Sequence, residues 1–186
     1  MLLISFGGSK TLHFANIAKF NLLTKHNYIA TMAILKEGIK APAFKALDQN
    51  GKSIALKDYL GQKVILYFYP KDDTPGCTAQ ACNLKDNYTD LIAQGFQVLG
   101  VSVDGVKSHK KFHDKFELPF PLISDEEKKI VDLYNLWGEK KFMGKTYMGT
   151  TRTTFLIDET GKIKKIIAKP DTKNHTEEIL AAWNEA

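Results

Sequence analysis

A continuous apolar stretch with strong β propensity at residues 64–69 and a second, largely apolar stretch at residues 96–103 most constrain the fold of this chain. Each has the length of one strand and is therefore predicted to be a buried strand. A helical stretch follows the first strand and runs to about Gln94, with Gly95 as its stop. A buried strand, a helix and a second buried strand in this order predict an α/β fold in which helices cover a sheet.

The rest of the pattern completes a mixed sheet. One hairpin is predicted around an Asn50-Gly51 turn and a second around residues 159–161. The elements still to be placed are hairpin strands at 44–48, 53–56, 153–158 and 162–168, a short strand at Leu122–Ser124, and helices at 106–117, 125–134 and 176–183. This order predicts a thioredoxin-like fold, with a central mixed β-sheet flanked by helices on both faces and an N-terminal β-hairpin. The active loop is expected at the carboxyl end of a central strand.

Composition excludes several classes of function. With 186 residues, of which 44% are apolar, the chain is long enough to bury a core without a metal ion or a disulfide. No apolar run approaches the roughly 20 residues of a membrane span. The net charge of +5 is not concentrated in a patch. The sequence has 26 basic and 21 acidic residues, and no cluster of basic residues alternates with aromatic ones. Neither a membrane nor a nucleic acid is therefore an expected partner.

The first 31 residues differ from the rest of the chain. They contain Lys10, Lys19 and Lys25 but no acidic residue, and they lack the ordered head, apolar centre and cleavage site of a secretory signal. Met32 then opens a well-formed domain start. We predict an extension at residues 1–31, either disordered or the result of a misassigned start, with targeting or anchoring as the alternative. Residues 32–186 are predicted to form one domain.

The two cysteines, Cys77 and Cys82, are too few for a disulfide framework, and their five-residue offset fits none of the usual zinc spacings. The two remaining explanations for the cysteines are redox chemistry and simple burial in the core. Two thiols so close in sequence suit a reducing compartment where they are used transiently, which favours the cytoplasm.

Cys77 is predicted to lie at the start of a helix. Thr74 and Pro75 have the residue types of a helix N-cap and first helical position, so that Cys77 becomes the third helical residue. Unpaired backbone N–H groups and the positive end of the helix dipole would then favour its thiolate. The alternative is an inert buried cysteine at the end of the apolar stripe that includes Ala81 and Leu84.

An intact helix keeps the two cysteines apart. Helix geometry places the Cα atoms of Cys77 and Cys82 about 8.7 Å apart, whereas a disulfide needs about 7 Å or less. The first turns of the helix would have to unwind before the two sulfur atoms could bond. Such a disulfide is better suited to a transient catalytic role than to a structural one.

The residues around the two cysteines resemble those of a known family. The pattern Pro70-x-x-x-Thr74-x-x-Cys77, with Cys82 five residues on, is similar to that of peroxiredoxins of the Q type, the bacterioferritin comigratory protein group. The similarity spans nearly all of residues 32–186. The segments that carry it, in order, are FYPKDDTPGCTAQAC, SHKKF before LPFPLISD, WGEKKFMGKTYMG, and Arg152 before TTFLID.

The resemblance implies a role for each matching residue. Cys77 would be the peroxidatic nucleophile and Cys82 the resolving thiol. Thr74 would donate its hydroxyl to the thiolate or the peroxide, and Pro70 would fix the loop and shield the pocket from water. Each of the last two also has a plain structural explanation, Thr74 as a helix N-cap and Pro70 as a strand terminator.

Arg152 is the only arginine among the 26 basic residues. It precedes a predicted strand that could run beside the strand carrying Pro70. Its planar fork can hold a thiolate and peroxide oxygens together, which an ammonium group cannot do. A surface ion pair is the alternative, and the resemblance favours the catalytic role.

Two other groups of residues have less specific patterns. His109 and His113, four residues apart on one predicted helix, could share a metal ion, but no third ligand stands at a recognisable spacing, so that no metal site is predicted. A run of aromatic and methionine residues is interpreted as loop residues covering a core edge, and the resemblance places it near the rim of the site. The run comprises Trp137, Phe142, Met143, Tyr147 and Met148.

The predicted function is that of a thiol peroxidase that reduces hydrogen peroxide and organic hydroperoxides in antioxidant defence. It would be a monomer, would need no cofactor, and would be recycled by thioredoxin or a similar dithiol. One alternative is a general thiol-disulfide oxidoreductase, disfavoured because the two-residue cysteine spacing of such sites is absent. Another is a redox-sensing binding module, in which a partner recognises the oxidised cysteine pair.

Overall fold

The computed structural model describes residues 35–142 and 144–185, without the side chain of Phe142. The predicted extension at residues 1–31 and Met143 lie outside the described residues. The strands are β1 (Lys45–Asp48), β2 (Ser53–Ala55), β3 (Lys63–Phe68), β4 (Phe96–Ser102), β5 (Leu122–Ser124), β6 (Trp137–Phe142), β7 (Lys145–Thr150), β8 (Thr153–Ile157) and β9 (Ile163–Ile167). The helices are α1 (Pro75–Asp86), α2 (Tyr88–Ala93), α3 (Val106–Phe116), α4 (Lys129–Leu133) and α5 (His175–Asn184), with a 3-10 helix at Leu56–Tyr59. None of the described helices is long and apolar enough to cross a membrane.

Seven strands form one mixed sheet in the order β2-β1-β5-β4-β3-β8-β9. β3 pairs in parallel with β4, and β4 in parallel with β5. β8 runs antiparallel to β3 on its other side and continues into β9. This arrangement confirms the predicted mixed sheet, both hairpins and the central position of the strand at residues 64–69.

The side chains of β3 alternate between two hydrophobic cores, one on each face of the sheet. Ile65 and Tyr67 pack into one core, together with residues of α1, α2, α3 and α5. Leu66 and Phe68 pack into the other core, together with residues of α4 and the 3-10 helix. Helices therefore cover both faces, as predicted, although four of the five α-helices contribute to one core. A strand buried on both faces has no polar positions, which is why β3 is a continuous apolar run.

The single helix predicted to run to Gln94 is wrong: the structure contains two helices. Asn87 has backbone angles of −106° and 12°, outside the helical region, and separates α1 from α2. Its side-chain amide donates to the carbonyl oxygen of Asn83 at 2.8 Å, as its backbone N–H does at 3.3 Å. This local side-chain bond competes with regular helix formation. The predicted stop at Gly95 is confirmed, since its φ of +84° is readily adopted only by glycine.

The helix predicted at residues 125–134 is also shorter than expected. Lys128 has a positive φ of 60°, and α4 begins only after it. The carboxylate of Asp125 accepts hydrogen bonds from the N–H groups of Ile130 and Val131 at 2.9 and 2.8 Å. Asp125 therefore caps the helix from outside, and the residues between form a turn.

Apart from Met143, the run of aromatic and methionine residues lies in a second, two-stranded sheet of β6 and β7, whereas a loop was predicted. Trp137 packs against the core, but Tyr147 and Met148 are 52% and 53% exposed. The prediction that the run covers a core edge is therefore wrong for these two residues. Apart from Trp137 and Thr150 at its base, the described side chains of the hairpin are exposed or half-buried, so its sequence carries no clear alternation of apolar and polar residues.

Candidate active site

The loop between β3 and α1 lies at the carboxyl end of a central strand. Thr74 is extended, with backbone angles of −105° and 151°, and Pro75 is the first residue of α1. The carbonyl oxygen of Thr74 accepts the N–H of Thr78 at 2.8 Å, which closes the first helical turn. Cys77 is thus the third helical residue, as predicted. Its N–H belongs to the group that has no partner within the helix.

Cys77 is buried, with 2% exposure, and its sulfur faces the guanidinium of Arg152. Nη2 of Arg152 donates to the Sγ atom at 3.2 Å. The strand register explains this proximity, because Thr153 pairs with Phe68 and so places Arg152 beside the chain that leads into the loop. The two residues are 75 positions apart in sequence and meet because β3 and β8 are neighbours.

Gln80 completes this arrangement and was not singled out from the sequence. Its Oε1 accepts a hydrogen bond from Nη1 of Arg152 at 2.6 Å, so that the guanidinium spans Gln80 and Cys77. Gln80 is fully buried, and its Nε2 has no hydrogen-bond partner. The signal that could have found it is its position three residues after Cys77, on the same helix face.

Thr74 and Pro70 border the site differently. Thr74 is half-buried, and its hydroxyl donates to the carbonyl oxygen of Lys71 at 3.1 Å rather than to the helix. It occupies the N-cap position without forming a side-chain cap. Pro70 is exposed and follows the buried Tyr69, where the chain leaves the sheet.

Cys82 lies on the same helix as Cys77, and both are free thiols. Cys82 is only partly buried. Burial raises the pKa of its thiol, an effect that Lys85 opposes and Asp86 reinforces. Because α1 is continuous from Pro75 to Asp86, the estimated Cα separation of about 8.7 Å applies and the two sulfur atoms cannot bond in this conformation.

Asn83 fixes the second half of α1 to the start of α5. Its Nδ2 donates to the carbonyl oxygen of Lys173 at 2.8 Å, and its Oδ1 accepts from the N–H and the hydroxyl of Thr176 at 2.8 and 2.9 Å. The residue that makes these bonds is the one directly after Cys82. No comparable tie was predicted from the sequence, because the partners are about 90 residues away.

The loop is also tied to α3, through Asp72 and His109. Nδ1 of His109 lies 2.9 Å from Oδ2 of Asp72, and both side chains are buried. His113, which the sequence pairs with His109, is instead close to Asp114. Among the described residues, no three histidine, cysteine, aspartate or glutamate side chains are grouped so as to hold a metal ion. His109 is therefore a partner of the loop and does not share a site with His113.

Comparison with known proteins places this geometry in a family. The model of the AhpC/TSA family matches residues 38–166. Peroxiredoxin Bcp of Escherichia coli K12 is 47% identical over 146 residues, which is 78% of this chain and 94% of that protein.

Solved structures agree with the sequence match. The chain superposes on peroxiredoxin Q of Xanthomonas campestris with a TM-score of 0.73 and 31% identity, covering 80% of this chain and 97% of that one. The bacterioferritin comigratory protein of the same organism gives a TM-score of 0.73 and 30% identity, over 81% and 98% of the two chains. These neighbours share the thioredoxin-like fold that the element order predicts. The chain belongs to the AhpC/TSA family, within its Q-type peroxiredoxin group, and is a thiol peroxidase.

Proposed function

We propose that Cys77 is the peroxidatic nucleophile and that Arg152 activates it. The observation that carries this proposal is the 3.2 Å contact between Nη2 of Arg152 and the sulfur of Cys77 at the N-terminus of α1. A permanently charged guanidinium and a helix N-terminus both stabilise a thiolate. Cys82 has neither the arginine contact nor the helix N-terminus, and its raised pKa keeps it in the thiol form.

The first step breaks the O–O bond of the peroxide. The Cys77 thiolate attacks one oxygen, and the sulfur–oxygen bond forms as the oxygen–oxygen bond breaks. The leaving alkoxide or hydroxide takes a proton and departs as an alcohol or water. The sulfur is oxidised by two electrons to a sulfenic acid, and the peroxide is reduced by the same two electrons.

The groups around Cys77 position the peroxide. Gln80 holds Nη1 of Arg152, so the other arm of the fork stays directed at the sulfur. The guanidinium can then stabilise negative charge on the thiolate and on the leaving oxygen. We assign Thr74 as donor to the peroxide, which requires its hydroxyl to turn away from the Lys71 carbonyl. Pro70 stiffens the loop where it leaves β3 and limits access of water.

Cys82 is proposed to resolve the sulfenic acid. The Cys82 thiol gives up its proton as its sulfur attacks the Cys77 sulfur. The sulfur–sulfur bond forms as the sulfur–oxygen bond of the sulfenic acid breaks, and the hydroxyl takes up that proton and leaves as water. The first turns of α1 must unwind for this step, since the helix keeps the two sulfur atoms apart. A dithiol reductant then attacks the disulfide, returns both cysteines to thiols and becomes oxidised itself.

We propose hydrogen peroxide and organic hydroperoxides as substrates and thioredoxin or a similar dithiol as the reductant. The Xanthomonas campestris relative supports the second substrate class, because its structures are described in terms of alkyl peroxide reduction. An intramolecular disulfide needs no second subunit, which supports a monomer. Close, transiently used thiols support a location in the cytoplasm. We further propose that residues 32–186 form the peroxidase domain.

A peroxide-consumption assay with a thioredoxin system tests the cysteine assignments. Cys77→Ser should abolish consumption, because a hydroxyl is not appreciably ionised near neutral pH. Cys82→Ser should reduce about one equivalent of peroxide and then stop, because no neighbouring thiol traps the sulfenic acid. Full activity in Cys77→Ser would refute the nucleophile. Unimpaired turnover in Cys82→Ser would show that Cys82 is not the obligatory resolving residue.

A further inference from the structure

The loop that precedes the nucleophilic helix is held by a buried carboxylate. Asp72 is 7% exposed, and its side chain accepts hydrogen bonds from the hydroxyl of Tyr69 at 2.8 Å and of Ser108 at 2.7 Å. Its backbone N–H donates to Oδ2 of Asp104 at 2.9 Å. Both the main chain and the side chain of this residue are therefore fixed, although it lies in a loop.

His109 supplies a further partner for this carboxylate. Its side chain has no exposed surface, its Nδ1 is 2.9 Å from Oδ2 of Asp72, and its Nε2 is 3.1 Å from the carbonyl oxygen of Ile123. A carbonyl oxygen can only accept, so Nε2 carries a proton. A second proton lies between Nδ1 and the carboxylate, whichever of the two atoms holds it. The pair is thus fully hydrogen-bonded and has no net charge, which makes its burial tolerable.

The residues that follow Asp72 need such support. Asp73 has a positive φ of 52°, a conformation uncommon for a residue other than glycine. Its carboxylate bonds to Lys115 of α3 at 2.6 Å, but both side chains are about half exposed, and exposed pairs contribute little. The buried contact at Asp72 therefore has to fix the turn. Thr74 and Pro75 come directly after it and start α1.

We infer that Asp72 and His109 are positioning residues for the peroxidase reaction: they fix the turn that places the N-terminus of α1, and with it Cys77, against Arg152. Neither residue touches the sulfur in the described contacts. Their effect is transmitted through the four residues between Asp72 and Cys77. A displacement of about 1 Å at a reacting group can lower a rate by up to about a hundredfold. This inference rests on the proposed role of Cys77.

Two isosteric variants of His109 separate positioning from stability. His109→Asn places an amide N–H near the position of Nδ1 and keeps the bond to Asp72, whereas His109→Gln places it near Nε2 and keeps the bond to Ile123. Each leaves one buried acceptor without its imidazole donor, so both should destabilise the fold, and the rate constants are therefore compared on folded protein only. We expect His109→Asn to oxidise Cys77 within about threefold of the wild-type rate constant, and His109→Gln to be slower by about tenfold.

The readouts are the second-order rate constant of Cys77 oxidation by hydrogen peroxide, measured on folded protein, and the titration of its thiolate by ultraviolet absorbance. In His109→Gln the thiolate should appear at higher pH than in His109→Asn. His113→Asn, a change on the same helix at a side chain near Asp114, is the control and should match the wild type. Equal rate constants and titrations for the two His109 variants would overturn the inference.

If neither His109 variant folds, Ser108→Ala tests the inference instead. It removes one donor from the same carboxylate at a half-buried position, and a rate constant lowered by about threefold is expected. A wild-type rate constant would then overturn the inference. Failure of the underlying assignment looks different: Cys77→Ser would consume peroxide at the wild-type rate, whatever the His109 variants do.

Discussion

At the scale of single residues, the guanidinium of Arg152 contacts both the sulfur of Cys77 and a buried side chain of α1. One arm contacts the sulfur of Cys77 and the other is held by Gln80, which lies one helical turn further along α1. A lysine ammonium has donors enough for both partners but no rigid fork that fixes them in one plane. The planar shape of the group is therefore as important as its charge.

Replacing Arg152 by lysine tests this point. Arg152→Lys keeps the charge but loses the fork, so we expect the rate constant of Cys77 oxidation to fall by about tenfold, with a smaller thiolate fraction at neutral pH. Stopped-flow measurement of thiol oxidation by hydrogen peroxide provides the rate. Gln80→Met, which leaves Nη1 of Arg152 without its acceptor, should slow the same step to a smaller extent. An unchanged rate constant in Arg152→Lys would place the guanidinium outside the reaction.

Cys82 should titrate at a higher pH than an ordinary cysteine. Burial raises the pKa of its thiol above the usual 9.0, so its thiolate fraction near neutral pH is lower than that of a free cysteine, and the fraction rises only as the pH passes the raised value. In a Cys77→Ser background, the alkylation rate of Cys82 should therefore have its midpoint above that of a cysteine peptide. The same protein in denaturant is the control and should lose the shift. A midpoint at or below that of the peptide would contradict the prediction.

At the scale of elements, α1 has two differently supported halves. Its first turns hold Cys77 and must unwind before the disulfide can form. Its second half is tied to α5 by the side chain of Asn83. Helix geometry predicts that the first turns unwind, and the hydrogen bonds of Asn83 indicate that the unwinding should stop there.

Amide hydrogen exchange can locate this boundary. On oxidation to the disulfide, the amides of residues 78–82 should lose protection, whereas those of residues 84–86 should keep it because Asn83 stays bonded to Lys173 and Thr176. In Asn83→Ala the loss should extend through Asp86. Equal protection in the reduced and oxidised proteins, with the disulfide verified by mass, would show that α1 does not unwind.

The same element shows what the sequence could and could not predict. The start of α1 was predictable because Thr74 and Pro75 are residues whose backbone preferences mark a helix N-terminus. The end of α1 was not, because Asn87 breaks the helix through one side-chain bond to the Asn83 carbonyl, and asparagine also occurs inside helices. The partners Asp72 and His109 are 37 residues apart, and nothing in either local sequence indicates that they meet. Local preferences thus predicted the position of Cys77, whereas its support depends on contacts that only the folded chain defines.

At the scale of the whole molecule, the chain is already hydrogen-bonded to the main sheet before it reaches the first hairpin. The N–H of Gly38 and the carbonyl of Ile39 bond to Ile163 of β9 at 2.7 and 2.8 Å, and the N–H of Ala41 bonds to Gly161 at 3.0 Å. Leu35 and Ile39 also pack against a core. The fold therefore begins before the hairpin predicted from residue 44.

Two truncations distinguish the predicted extension from this segment. Deleting residues 1–31 should leave peroxidase activity and the melting temperature nearly unchanged, because the site and the two described cores use residues from Leu35 onward. Deleting residues 1–41 removes the bonds to β9 and some apolar packing, and should lower the melting temperature by roughly 10 °C. Differential scanning calorimetry measures both. A large loss of stability in the shorter deletion would show that residues 1–31 contribute to the fold.

Under the proposed roles of Cys77 and Cys82, which lie on one helix, the reaction between the sulfenic acid and the resolving thiol is unimolecular. A short connecting segment gives the second thiol an effective concentration on the order of millimolar or more. Disulfide formation should then proceed at the same rate at any dilution of the protein. A small-molecule thiol present at micromolar levels would trap only a minor share of the sulfenic acid. Most of the oxidised protein would therefore form the internal disulfide before it meets an external thiol.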